Sequence, residues 1–214
     1  MGFTRLVVPK AVEEQARSAG AKSISAVTTI EEGAFNGCSG LVTLELPANL
    51  STIKYQVFYG CTSLATLELP TALTTIESFA FDECSSLTAL ELPDTLVTIA
   101  MNAFKGCSSL DTLEFAASLT SIDQEAFRSC SSLTSLTFMG ESSIGFATFM
   151  DCTSLESIYY SGDAPSVDFL CFDGVPGTVY YVAGTAGWPA VPGLWADLPT
   201  AHWLPEFKGE GMGI

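Results

Sequence analysis

Apolar positions in this chain follow neither a sustained helical period nor plain alternation. They return in blocks. Each block carries an Ile, a small residue followed by Phe, a Cys, and then several leucines. Phe35, Phe58, Phe81, Phe104, Phe127 and Phe149 mark the beat. Cys38, Cys61, Cys84, Cys107, Cys130 and Cys152 each follow three residues later. The step is 23 residues until Cys130 and 22 from there to Cys152. A fixed period in this range is the signature of a solenoid, in which a unit cannot bury its apolar face alone and packs on its neighbours. Seven units begin at Thr29, Thr52, Thr75, Thr98, Ser121, Ser143 and Ser166.

Within a unit the pattern predicts elements. In Leu41–Pro47 the side chains of Leu44 and Leu46 share one face and Glu45 takes the other, as in a strand. The equivalent pairs are Leu67/Leu69, Leu90/Leu92, Leu113/Phe115, Leu136/Phe138 and Ile158/Tyr160. A proline after Leu46, Leu69 and Leu92 has no N–H to donate and marks the strand end. Every strand is reached by the same crossover, so the strands stack in parallel. The Thr-Ile pairs (Thr29-Ile30, Thr52-Ile53, Thr75-Ile76) predict a second, very short strand on another side. The segment Glu32–Cys38 predicts a single helical or 3-10 turn. Gly37, Gly60 and Gly106 stand where a left-handed cap is useful, and Glu83 and Ser129 replace them in other units.

A solenoid needs closed ends. Pro9–Ala19 has a proline near its start, good helix formers, and Gly20 behind it, which predicts a capping helix of about ten residues. After Val182 the composition turns to Gly, Pro and Trp, and Trp188, Trp195 and Trp203 predict an irregular cap over the last rung. The expected division is an N-terminal cap over 1–28, the solenoid over 29–182, and a C-terminal cap and tail over 183–214. The tail KGEGMGI rests either on its own domain or on a partner chain.

The unit I-x-x-x-A-F-x-x-C-x-S-L-x-x-L-x-L-P resembles the BspA-type leucine-rich repeat over about residues 28–183. The frame of Phe, Cys and two Leu-type residues, three apart, recurs six times; the Leu-Pro ending is kept in the first three units. Thr178–Trp188 is similar to the terminal unit that often closes such arrays. The resemblance implies a right-handed leucine-rich-repeat solenoid of β-rich α/β class, used for binding proteins, in some members host or matrix proteins. It carries no catalytic set.

Composition narrows the partners. Eight Lys+Arg face 24 Asp+Glu, for a net charge of −16 and a pI near 4.1. Such a surface repels nucleic acids and anionic membranes. Basic proteins, cations and neutral polymers remain compatible. No stretch is long and apolar enough to span a bilayer. Residues 1–22 lack the apolar run of a secretory signal. The expected compartment is therefore intracellular or organellar if Met1 is native, and the cell surface or beyond if a leader has been removed.

The seven cysteines read as packing positions rather than as a disulfide framework. Six share one phase of the repeat, and Val175 fills that slot in unit seven, as a small buried hydrophobe would. Ser-His-Asp or Cys-His catalysis needs a histidine, and the only one is His202, beside Trp203. There is no CxxC pair, no Asp-x-Asp-x-Asp-Gly loop and no phosphate loop. No enzyme, cofactor or metal is expected.

The candidate binding surface is the outward strand face. Glu45, Glu68, Glu91 and Glu114 stand in one column, which changes to Thr137 and Tyr159. Beside it run Thr43, Thr66, Ala89, Thr112, Ser135 and Ser157. Tyr159 and Tyr180 point outward at the far end and suit a protein contact. Two readings fit the column: a negative stripe for a basic partner, or a solvated face repeated by duplication. Two functional classes follow: a recognition or adhesion module, and a structural subunit of a larger assembly.

Overall fold

The computed structural model describes residues 29–203. It is a parallel-strand β-solenoid of about seven turns. One side carries a five-stranded sheet of Thr-Ile and Ser-Ile pairs: β1 (Thr52–Ile53), β2 (Thr75–Ile76), β3 (Thr98–Ile99), β5 (Ser121–Ile122) and β7 (Ser143–Ile144), in that spatial order. The other side carries β4 (Thr112–Phe115), β6 (Ser135–Phe138), β8 (Ser157–Tyr160) and β9 (Thr178–Val182), stacked in register. β11 (Leu198–Trp203) continues this sheet in parallel beyond β9, and β10 (Gly193–Trp195) closes it as an antiparallel edge. The segment after Val182 is thus more regular than its composition indicates. The capping helix expected over Pro9–Ala19 and the tail KGEGMGI lie outside the described residues.

In the first three units the leucine segments bury Leu44, Leu67 and Leu90, yet they form only an isolated bridge, Thr66 to Ala89. Proline is one reason. Met139 and Ser161 donate their N–H to the carbonyls of Phe115 and Phe138 and so extend the ladder. Pro70 and Pro93 stand in the same place and have no hydrogen to give. Regular strands begin only where the Leu-Pro ending has gone.

The helical turn expected at Glu32–Cys38 is corrected: among the described residues there is no helix. Each unit instead makes a chain of tight turns, such as Ala34 N–H to Glu31 O, Asn36 N–H to Gly33 O and Cys38 N–H to Phe35 O. Two residues per unit lie in the left-handed region, which a right-handed helix excludes. The first column is Gly33, Gln56, Phe79, Asn102, Glu125, Ala147 and Leu170, with φ of 53–63°. The second is Gly37, Gly60, Glu83, Gly106, Ser129, Asp151 and Gly174, with φ of 62–77°. The left-handed cap is therefore kept whether or not glycine supplies it.

The core is a set of columns. Rings of Phe35, Phe58, Phe81, Phe104, Phe127, Phe149 and Phe172 stack at 5.0–5.5 Å with interplanar angles of 4–15°. Parallel strands about 4.8 Å apart set a spacing at which offset rings attract. A second stack, Phe115, Phe138 and Tyr160 at 4.7 and 4.5 Å, begins where aromatics replace the second leucine. The cysteines are free, and those from Cys61 to Cys152 are fully buried. They do more than fill space. The Sγ–H of Cys61, Cys84, Cys107, Cys130 and Cys152 donates to the Phe carbonyl of the preceding unit at 3.1–3.3 Å. Burial pushes the Cys61 thiol up to about 12, so it stays protonated and able to donate.

Candidate functional site

The strand register sets the candidate surface. Glu114 stands beside Thr137, Thr137 beside Tyr159, and Tyr159 beside Tyr180. Glu45, Glu68 and Glu91 are exposed at the equivalent place in the first three units. The flanking column runs from exposed Thr43, Thr66, Ala89 and Thr112 to half-buried Ser135 and Ser157. Thr112 and Ser135 are register partners, as are Ser135 and Ser157.

The two ends of this face differ. At the acidic end a shallow hollow of about 690 Å³ lies over the strands, with Glu91, Asp94, Thr112, Glu114, Ser118 and Met139 in its lining. Asp94, Ser118 and Met139 escaped the sequence reading because they follow the strand and do not repeat in kind. The only signal was Met139 occupying the place where earlier units hold proline. At the other end Tyr159 stacks on Tyr180 at 5.1 Å, and Trp203 leans on Tyr159 at 5.2 Å. Both tyrosines are half-buried, so they present ring edges rather than whole faces.

Basic groups are held elsewhere. Lys54, Lys105 and Arg128, the lysines and arginine of the described span, sit in or beside the turn segments. Lys54 pairs with Glu31 at 3.1 Å. Lys105 and Arg128 both meet Glu125, at 2.9 and 3.2 Å, and Arg128 also reaches Asp151 at 3.6 Å. The Lys105 ammonium, bonded to Glu125, holds that carboxyl below the usual carboxylate range. Each of these ion pairs joins one unit to another except Arg128–Glu125, which lies within unit five. Among the described residues no lysine or arginine is thus paired with the acidic column on the strand face.

Asp82 lies on the turn side, apart from this face. It is buried, and its Oδ1 has no hydrogen-bond partner. Burial, reinforced by the charge of Glu83, pushes its carboxyl up to about 6. His202 is exposed and edge-on to Tyr181 at 5.4 Å. Among the described residues no group of three or more His, Cys, Asp or Glu could hold a metal ion. No helix there is long and apolar enough to cross a membrane.

The sequence matches the BspA type Leucine rich repeat region, in six copies, over residues 21–94 and 74–177. The chain belongs to the BspA-type leucine-rich repeat family. Leucine-rich repeat proteins are generally non-enzymatic binding modules, and the family suggests a protein-interaction or adhesion-type role. Among solved structures the repeat is similar to a leucine rich repeat protein of T. pallidum, at 28% identity and a TM-score of 0.61, over 81% of this chain and 72% of that one. A leucine-rich repeat protein from Bacteroides ovatus matches at 25% identity and a TM-score of 0.43, over 73% of this chain and 53% of its own. A leucine rich cell surface protein from Faecalibacterium prausnitzii matches at 21% identity and a TM-score of 0.42, over 83% and 63%. The chain thus spans less than two thirds of the last two. No curated protein matches the sequence.

Proposed function

We propose that this leucine-rich repeat is a non-enzymatic recognition module. Its partner is a protein with a basic patch, held on the strand face by Glu45, Glu68, Glu91 and Glu114. The single observation that supports this is the separation of charge: four exposed carboxylates in one column, with Lys54, Lys105 and Arg128 all tied up in or beside the turns. Thr43, Thr66 and Thr112 flank the column as small hydroxyl groups over which a flat partner can lie close. Tyr159 and Tyr180 end it with rigid apolar surface, the residue type that concentrates binding energy.

Replacing Glu45, Glu68, Glu91 and Glu114 by Gln tests the reading. Binding to partners captured by the native protein should fall about tenfold or more and lose most of its salt dependence, because unscreened charge steers such contacts. Undiminished capture by the Gln variant would exclude the strand face. A permanent scaffold subunit is the second reading, favoured by exposed apolar groups near the C-terminal end: Phe169 is 71% and Leu194 66% exposed. A complex that survives high salt but is lost on Leu194→Asp would support that reading instead.

A further inference from the structure

In units one to six the turns pass their hydrogen bonds forward, always in the same sense. In each, the N–H groups of the first left-handed residue, the phenylalanine and the second left-handed residue donate to carbonyls of the next unit. In unit five Glu125, Phe127 and Ser129 donate to Phe146, Thr148 and Met150, each at 2.9 Å. In unit six Ala147, Phe149 and Asp151 donate to Phe169, Cys171 and Asp173 at 3.2, 2.8 and 2.9 Å. Unit seven keeps the same backbone. Leu170 and Gly174 have φ of 56° and 77°, and the Phe172 ring stacks on Phe149 at 5.4 Å. Its three equivalent donors, the N–H groups of Leu170, Phe172 and Gly174, have no acceptor among the described residues.

The long-strand sheet and the ring column are closed here. β11 extends the strand sheet past β9, and Trp195 covers the Phe172 ring at 6.1 Å. The turn row is left open, as is the short-strand column, where the Val167 N–H has no acceptor among the described residues; the row faces a hollow of about 580 Å³ between the last turn and Ala196–Leu198. Phe169 forms its apolar rim, with one face toward Phe146 at 6.5 Å. Asp168, Asp173 and Asp197 also line it, and among the described residues no lysine or arginine does. A row of N–H donors by itself would welcome an anion. Three surrounding carboxylates repel one. The acceptors that fit are neutral carbonyls on alternate residues of a polypeptide, the arrangement that the turn segment of each unit already offers the one before it.

We propose that the last turn docks a segment of a partner protein in the turn conformation of a further unit, whose alternate backbone carbonyls accept from Leu170, Phe172 and Gly174. An apolar side chain of that segment lies on Phe169 and a basic one faces Asp168, Asp173 and Asp197. Main-chain docking of this kind, like strand addition to a sheet edge, takes affinity from the backbone and specificity from the side-chain contacts. The site is on the turn side and stands or falls independently of the strand face.

Backbone amide exchange in the full chain, followed residue by residue by NMR, tests it. The probe is an end-blocked peptide with the sequence of residues 98–106, whose carbonyls at Met101, Ala103 and Lys105 already accept such bonds within unit four. Alone and at every dilution, Leu170, Phe172 and Gly174 should exchange about tenfold or more faster than Ala147, Phe149 and Asp151. Millimolar peptide should slow these three amides. A Lys105→Glu version of the peptide, or Phe169→Ala in the protein, should weaken that effect about fivefold or more. Inorganic phosphate should leave the amides unchanged. Slow exchange in the chain alone would mean that its own residues fill the row. Slow exchange only at high concentration would mean that a second copy does. Either result, indifference to both peptides, equal response to both, or protection by phosphate would overturn the proposal.

Discussion

Among the described residues two buried side chains carry polar atoms that the fold leaves unsatisfied, and each gives a test. The Tyr160 hydroxyl is buried without a hydrogen-bond partner, while its ring packs on Phe138, Trp188 and Trp195. An unbonded buried hydroxyl costs roughly 1–3 kcal/mol. Tyr160→Phe keeps the ring and removes that group, so it should raise stability by about 1 kcal/mol in denaturant melts. Asp82 is the second. Burial pushes its carboxyl up to about 6 in the fold, above the 3.8 of a solvated aspartate, so the folded state binds the extra proton between those values. Stability from this residue is therefore greatest below about pH 4 and is lost as the pH rises through 6, by on the order of 2 kcal/mol. Asp82→Asn should flatten that part of the stability–pH curve.

Stacked columns govern the elements. Phe81 lies between Phe58 and Phe104 at 5.1 and 5.0 Å, and its carbonyl accepts the Cys107 thiol at 3.2 Å. Phe81→Ala should cost about 3–5 kcal/mol, read as a lower midpoint in urea, because it opens a cavity that two fixed neighbours cannot fill. A loss well below 1 kcal/mol would show that the column relaxes freely. The turns obey the same logic on the backbone side. Ser129 holds φ of 62° although it has a Cβ, because its N–H is committed to Met150. A glycine there meets no steric penalty, so Ser129→Gly should raise stability by about 1 kcal/mol in the same melts.

At the scale of the whole molecule, charge is the organising quantity. With −16 overall and the lysines and arginine of the described span in or beside the turns, the strand face carries self-repulsion that binding relieves. Glu68→Gln together with Glu91→Gln should leave the fold intact and raise its thermal midpoint by about 1–3 °C at low salt. The gain should shrink as salt is added. A clear drop in the midpoint would show instead that these carboxylates are structurally paired.

The chain by itself determined the period, the phenylalanine and cysteine columns and the outward glutamates. Those follow from one unit repeated, since a side chain in a solenoid meets its own equivalent in the next coil. The elements that broke the repeat were harder to read. Pro70 and Pro93 each remove a ladder bond that the leucine pattern predicts, and the left-handed φ of Phe79 or Leu170 leaves no mark in residue type. The tertiary structure alone decided that Tyr159 and Tyr180 share their edge with Trp203, that Asp82 is buried, and that the last turn keeps three donors unanswered. Each of these depends on which groups face a neighbouring coil and which face none, and that is a property of where the stack ends rather than of any unit within it.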